Sequence, residues 1–186
     1  MSGETARPKA AVFLDRDGVI NQAQVRQGIP HPPASMRELV ILPGVSAALH
    51  ALKRQGYMLI VVTNQPDVAR GATSLETISS IHRHLEAHLA LDGILACLHD
   101  EADACDCRKP KPGLLLQAAR AHRLDLKSSF MVGDRWRDIE AGRRAGCTTV
   151  WIDRGYAERP ARDYHFKVRS LPEAAAMIRS RTVPRP

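Results

Sequence analysis

The chain has 186 residues, a net charge of +7, 44% apolar residues and 25% charged residues. That is enough to bury a core in one domain over 1–186, and it is the balance of a globular protein, not a disordered or fibrous one. No apolar run approaches the ~20 residues needed to span a bilayer, and the first ten residues lack the apolar stretch of a secretory leader. A cytoplasmic protein with no membrane partner is the expectation.

In chain order, the apolar run at 10–14 predicts a buried strand. Residues 22–43 show no clear periodicity and carry Pro30, Pro32, Pro33 and Pro43, so they read as a loop or flap near that strand. Helical spacing over 45–55 ends at Gly56. A second continuous strand follows at 57–63. Ser74 opens a helix to about residue 90, and 93–98 reads as a third strand before a polar, Cys-rich loop. Residues 112–122 predict a helix with proline at its start. A strand at 129–133, a helix at 136–145, a strand at 148–152 and a helix at 172–180 complete the pattern, and the last residues are expected to fray.

Strand and helix in alternation predict an α/β fold, a three-layer α/β/α Rossmann-like parallel sheet covered on both faces. Ligands bind such sheets beyond the carboxyl ends of the strands. Asp15, Thr63 and Asp134 each end an apolar run, so chemistry is expected at all three.

The segment AVFLDRDGVIN sets Asp15 and Asp17 two apart beyond a strand, with Gly18 allowing a sharp turn. A carboxylate can attack phosphorus, but an anion approaching a dianion needs a hard cation between them. Asp134 offers a carboxylate from a distant strand end, and Asp138 follows it. Asp17 can protonate a leaving alcohol. Alone, the Asp-x-Asp-Gly pattern is also an ordinary polar turn, and Asp134 alone is also a helix cap.

Four ordered segments then carry a resemblance: DRDGVIN from Asp15, VVTNQPDVARG around Thr63, CRKPKPG at 107–113 and GDRWRDIEAG at 133–142. In these the chain resembles the haloacid dehalogenase superfamily of phosphohydrolases. The resemblance implies a HAD-like fold, an aspartyl-phosphate on Asp15 and acid/base work by Asp17. It implies phosphoryl binding by Thr63 with backbone near Asn64, and charge neutralisation by Lys109, with Lys111 as a rival. Magnesium is implied on Asp15, the Asp17 carbonyl and Asp134, with Asp138 in support.

Cys97-Leu-His99 and Cys105-Asp-Cys107 bring three thiols and an imidazole within eleven residues. That donor set matches a closed, structural zinc site, in a loop too polar to order itself by packing. The zinc loop, 97–107, leads straight into Arg108 and Lys109 and is expected to aim Arg108 at substrate. It narrows the resemblance to the branch containing heptose-1,7-bisphosphate 7-phosphatases and histidinol-phosphatases, which implies no large cap domain. A small phosphorylated metabolite is the implied partner, heptose 1,7-bisphosphate first, with Arg108 and then Arg70 for its second phosphate. Val19, NQPDVARG, Arg135 and the 22–43 segment depart from the heptose-bisphosphate pattern and bear on substrate choice. The alternatives are a histidinol-phosphate phosphatase, a DNA 3′-phosphatase and a non-catalytic zinc-containing binding module.

From 154 to 186, eight Lys/Arg stand against three Asp/Glu. This reads as a solvated basic tail, about 181–186 at its end, with nucleic acid not expected as a partner. His82, His84 and His88 read as a solvated helix face, Trp136 and Trp151 as packing residues, and Cys147 as an inert core thiol. A monomer is expected.

Overall fold

The computed structural model describes residues 9–181. Residues 1–8, part of the segment read as lacking a leader, and 182–186, the end of the basic tail, lie outside the described residues. The strands are β1 (Ala11–Leu14), β2 (Gln24–Arg26), β3 (Ile29–His31), β4 (Met58–Asn64), β5 (Gly93–Cys97), β6 (Phe130–Gly133), β7 (Thr148–Ile152) and β8 (Phe166–Val168). The helices are α1 (Val45–Arg54), α2 (Leu75–His88), α3 (Gly113–His122), α4 (Trp136–Ala145) and α5 (Leu171–Arg181).

Six strands form one sheet in the order β5-β4-β1-β6-β7-β8, and every neighbouring pair is parallel. The continuous apolar runs follow from burial on both faces. Side chains alternate along a strand, so Val12 and Leu14 join the core that takes in residues of α1, α2 and α5, while Ala11 and Phe13 join the core that takes in α3 and α4. Burying Val12, Phe13 or Leu14 contributes roughly 1.5–3 kcal/mol each relative to exposure. The helices supply the matching stripes: Val45, Ala48, Leu49 and Leu52 of α1 are buried at helical spacing. Ser74 caps α2, its Oγ accepting from the Thr77 amide at 3.0 Å.

Two elements depart from the sequence reading. The 22–43 segment contains a hairpin, β2 against β3, whose turn uses Gln27 and Gly28 at φ 50° and 77°, the left-handed pair a two-residue hairpin loop requires. The hairpin is also pinned from outside, since the Ala157 amide donates to the Gly28 carbonyl at 2.8 Å. The short strand β8 extends the sheet beyond β7; with a lysine at its centre it carries no continuous apolar run.

From β1 the next sheet strand is β4, on one side; from β6 it is β7, on the other. These two adjacent strands therefore diverge in their connections, and the crevice beyond their carboxyl ends is the topological switch point where such sheets bind ligands. Asp15 and Asp134 are the first residues past β1 and β6, tied together by the Asp15 amide donating to the Val132 carbonyl at 2.9 Å.

Candidate active site and Cys/His cluster

Asp15, Asp134 and Asp138 are all buried, and one carboxylate oxygen from each lies within 4.8 Å of the others. Lys109 reaches the same point from 94 residues beyond Asp15. Its Nζ donates to Asp15 Oδ1 at 2.7 Å, sits 2.6 Å from Asp138 Oδ1, and donates to the Val62 carbonyl at 2.8 Å. Lys109 is 2% exposed. Lys111 instead points outward to the Ala104 carbonyl and the Asp106 carboxylate, so it is Lys109 that meets the acidic cluster.

The electrostatics of the cluster are unbalanced. Burial pushes the Asp15 carboxyl up to about 6 against the pull of Lys109, with Asp138 and Asp17 adding repulsion. Burial also raises the Asp134 carboxyl well above its ordinary value, and the charges of Asp15 and Asp138 add to it. Asp134 Oδ2 accepts from the Tyr156 hydroxyl at 2.8 Å, whereas its buried Oδ1 has no hydrogen-bond partner among the described residues. An unpartnered, buried carboxylate oxygen among two more carboxylates is a place for a hard cation, and the all-oxygen donor set is of the magnesium type. Asp15, Asp134 and Asp138 are the residues that would hold it.

Local structure fixes these groups. Gly18 turns at φ 85° against the Asp134 carboxylate and the Tyr156 hydroxyl, where any Cβ would overlap them. Gly133 lies equally close under the Asp138 side chain. Asp138 Oδ2 accepts from the Arg135 amide at 2.9 Å, closing the first turn of α4. The Asp134 carbonyl accepts from the Trp151 indole at 3.1 Å, so Trp151 also orients the Asp134 turn as well as packing.

Asp17 lines the same cleft as Asp15 but is not one of the three clustered carboxylates. Its carboxylate accepts from Arg16 through both Nε and Nη2, from Asn21 Nδ2 at 2.9 Å and from Gln65 Nε2 at 2.8 Å. Arg16 is fully buried, and its Nη1 lies 3.0 Å from His82 Nε2. His82 therefore corrects the reading of a solvated histidine face: it packs on the buried guanidinium. His84 and His88 do stack on each other at 4.1 Å between ring centroids, away from that contact. Thr63 is buried, its Oγ1 accepting from Gln65 Nε2 at 2.9 Å, which leaves the hydroxyl proton free to donate. The Asn64 amide exchanges two 3.0 Å hydrogen bonds with the Lys109 backbone and so holds the lysine loop.

A cleft of about 190 Å³ opens over Asp15, Asp17 and Lys109, roofed by residues 29–32 of the hairpin. Arg70, Arg108, Arg135 and Arg137 all line it. Arg70 is taken by Asp100, at 2.8 and 2.6 Å, and by Asp67. Arg135 is paired with Glu158. Among the described residues, the Arg108 guanidinium donates to the His99 carbonyl alone, at 3.2 Å.

Beside the cleft, Cys97, His99, Cys105 and Cys107 bring their ligand atoms within 4.8 Å of one another. Cys107 Sγ lies 2.9 Å from Cys97 Sγ, 3.4 Å from Cys105 Sγ and 3.2 Å from His99 Nδ1. Three soft sulfurs and a nitrogen so close form the donor set of a tetrahedral zinc site and could hold that ion. Burial holds the Cys97 and Cys107 thiols above their ordinary value, whereas Cys105, against its own burial, is drawn down to about 7 by hydrogen bonds from Cys107 and the Arg108 backbone; bound metal would need all three as thiolates. Cys147 is buried elsewhere, its thiol pushed up to about 12 by burial, which makes it inert.

A family model for HAD-like hydrolases matches residues 106–174. The D-glycero-beta-D-manno-heptose-1,7-bisphosphate 7-phosphatase of Pasteurella multocida is 40% identical over 148 residues, 74% of this chain and 77% of that protein. The chain belongs to the HAD-like hydrolase family. The D-glycero-alpha-D-manno-heptose-1,7-bisphosphate 7-phosphatase of Mycobacterium bovis is 38% identical, covering 82% of this chain and 84% of its own. Among solved structures, the D,D-heptose 1,7-bisphosphate phosphatase of B. bronchiseptica, complexed with magnesium and phosphate, superposes with a TM-score of 0.78 at 29% identity, over 92% of this chain and 98% of that one. The sheet, the strand-end carboxylates and the absence of a large cap among the described residues fit that family.

Proposed function

We propose that this protein is a magnesium-dependent phosphomonoesterase that removes the 7-phosphate of D-glycero-D-manno-heptose 1,7-bisphosphate through an aspartyl-phosphate on Asp15. The observation that carries the reading is the meeting of Lys109 with Asp15 and Asp138 beside the unpartnered Asp134 Oδ1. Relatives at about 40% identity that carry the substrate in their names support it.

Asp15 attacks phosphorus in line with the departing sugar oxygen. Lys109 offsets charge on the nucleophile and the phosphoryl oxygens. Asp17, whose carboxylate accepts from Arg16, Asn21 and Gln65, protonates the leaving oxygen and then draws a proton from the water that hydrolyses the acyl-phosphate. Thr63 has its hydroxyl proton free for a phosphoryl oxygen. Magnesium, held by Asp15, Asp134 and Asp138, would neutralise the approach of anion to anion. The Cys97, His99, Cys105, Cys107 cluster would hold a structural zinc that fixes the Arg108–Lys109 segment. Its free thiols fit a reducing cytoplasm, and a monomer suffices because one chain supplies every residue of the cleft.

The test is a phosphate-release panel comparing heptose 1,7-bisphosphate, histidinol phosphate, other sugar phosphates and a 3′-phosphorylated oligonucleotide, with and without magnesium. Heptose bisphosphate is expected to give the highest kcat/KM, abolished by EDTA and restored by magnesium. A clear preference for any other member overturns the substrate, and full activity in EDTA overturns the metal.

A further inference from the structure

Four guanidinium groups in one small cleft repel one another, and the structure relieves this unevenly. Arg70 and Arg135 are neutralised by Asp100, Asp67 and Glu158. Arg137 is half-buried in the first turn of α4 and has no carboxylate within ion-pair distance among the described residues. Its guanidinium lies over the ring of Trp136, 5.1 Å from the centroid. Glu101 lines the same cleft without an ion pair to Arg137 among the described residues. Arg108, also without an ion pair among the described residues, lines the same cleft. A partly desolvated, unpaired arginine costs stability unless a ligand supplies the missing anion.

From this we infer that Arg137, with Arg108, forms the seat of a second anionic group on the substrate, and that Arg137 is a specificity residue for phosphorylated sugars bearing a phosphate away from the reacting one. Arg70, the other candidate from the sequence, is already engaged. The inference rests on the proposed phosphatase reading and sharpens it, because it separates bisphosphates from monophosphates by a named side chain. Arg137 can offer a planar fork to phosphate oxygens, while Lys109, which lines the same cleft, and the acidic cluster serve the reacting phosphate.

The experiment measures kcat/KM of wild type, R137Q, R137K and R70Q on two pairs: heptose 1,7-bisphosphate against heptose 7-phosphate, and fructose 1,6-bisphosphate against fructose 6-phosphate. Wild type is expected to prefer the bisphosphate in at least one pair. In that pair R137Q should lower the bisphosphate-to-monophosphate ratio roughly tenfold or more, through KM, as loss of a charge-assisted bidentate contact implies. R137K should recover part of it. If R137Q lowers both members of the pair equally, or if R70Q carries the ratio instead, the inference falls. If wild type shows no bisphosphate preference in either pair, it also falls. A preference in the fructose pair alone, lost in R137Q, sustains the inference and overturns heptose as substrate.

Discussion

The acidic cluster and the Cys/His cluster sit side by side and could each hold a metal, yet they are built in opposite ways. Asp15 and Lys109 are 94 residues apart in the chain, and both are buried. Their meeting depends on the parallel sheet and on its switch point. Cys97 and Cys107 are ten residues apart, in a stretch that contains little apolar burial beyond Cys97 itself. In the first region the fold creates the site and tolerates its electrostatic cost. In the second the site creates the local fold. Metal loss should therefore damage function in one and structure in the other.

The comparison breaks most visibly at the nucleophile. Asp15→Asn is expected to lower turnover at least ~10⁴-fold. Because it removes one of several crowded buried carboxylates, the metal-free variant should melt no lower than wild type. Single-turnover assays and melting curves read the two effects; retained turnover removes Asp15 from its role.

Cys107→Ser probes the opposite case. Bound zinc should be lost and the melting temperature should fall by roughly 5–10 °C, about 2–3 kcal/mol for a chain of this size. Zinc content by metal analysis must fall with stability; an unchanged melting curve means the loop orders itself without the ion.

The smallest effect sharpens the contrast behind the active site. Burial, then the Arg16 charge, push the His82 imidazole down to about 4. Folded protein then binds fewer protons than unfolded chain between about pH 6.5 and 4, so stability falls as pH falls through that window. His82→Asn should flatten the drop between pH 7 and pH 5 by on the order of 2 kcal/mol, measured from urea midpoints. An identical pH profile in the variant would show that His82 stays solvated.

Much of the frame was legible in the chain. The runs at 10–14, 57–63, 129–133 and 148–152 are strands because they are buried on both faces, and continuous burial leaves a continuous apolar signature. The hairpin β2–β3 and the strand β8 left no such mark: each has three residues per strand, and both carry polar or proline positions. The Arg26-Gln27-Gly28-Ile29 turn was the one local signal for the hairpin. Tyr156, His82 and Arg137 were not legible as site residues. Their meaning lies in Asp134, Arg16 and the cleft, each supplied by another part of the chain.

The sequence by itself determined the alternation of strands and helices, the carboxylates at strand ends and the spacing of the sulfur ligands, because periodicity and close spacing act along the chain. Only the tertiary structure decided that Lys109 and not Lys111 meets Asp15, that Arg16 and His82 back Asp17, and that Arg70 is ion-paired while Arg137 has no ion pair among the described residues. Those outcomes turn on burial and on charge pairing between segments far apart in sequence, and such energies exist only once the sheet has brought the segments together.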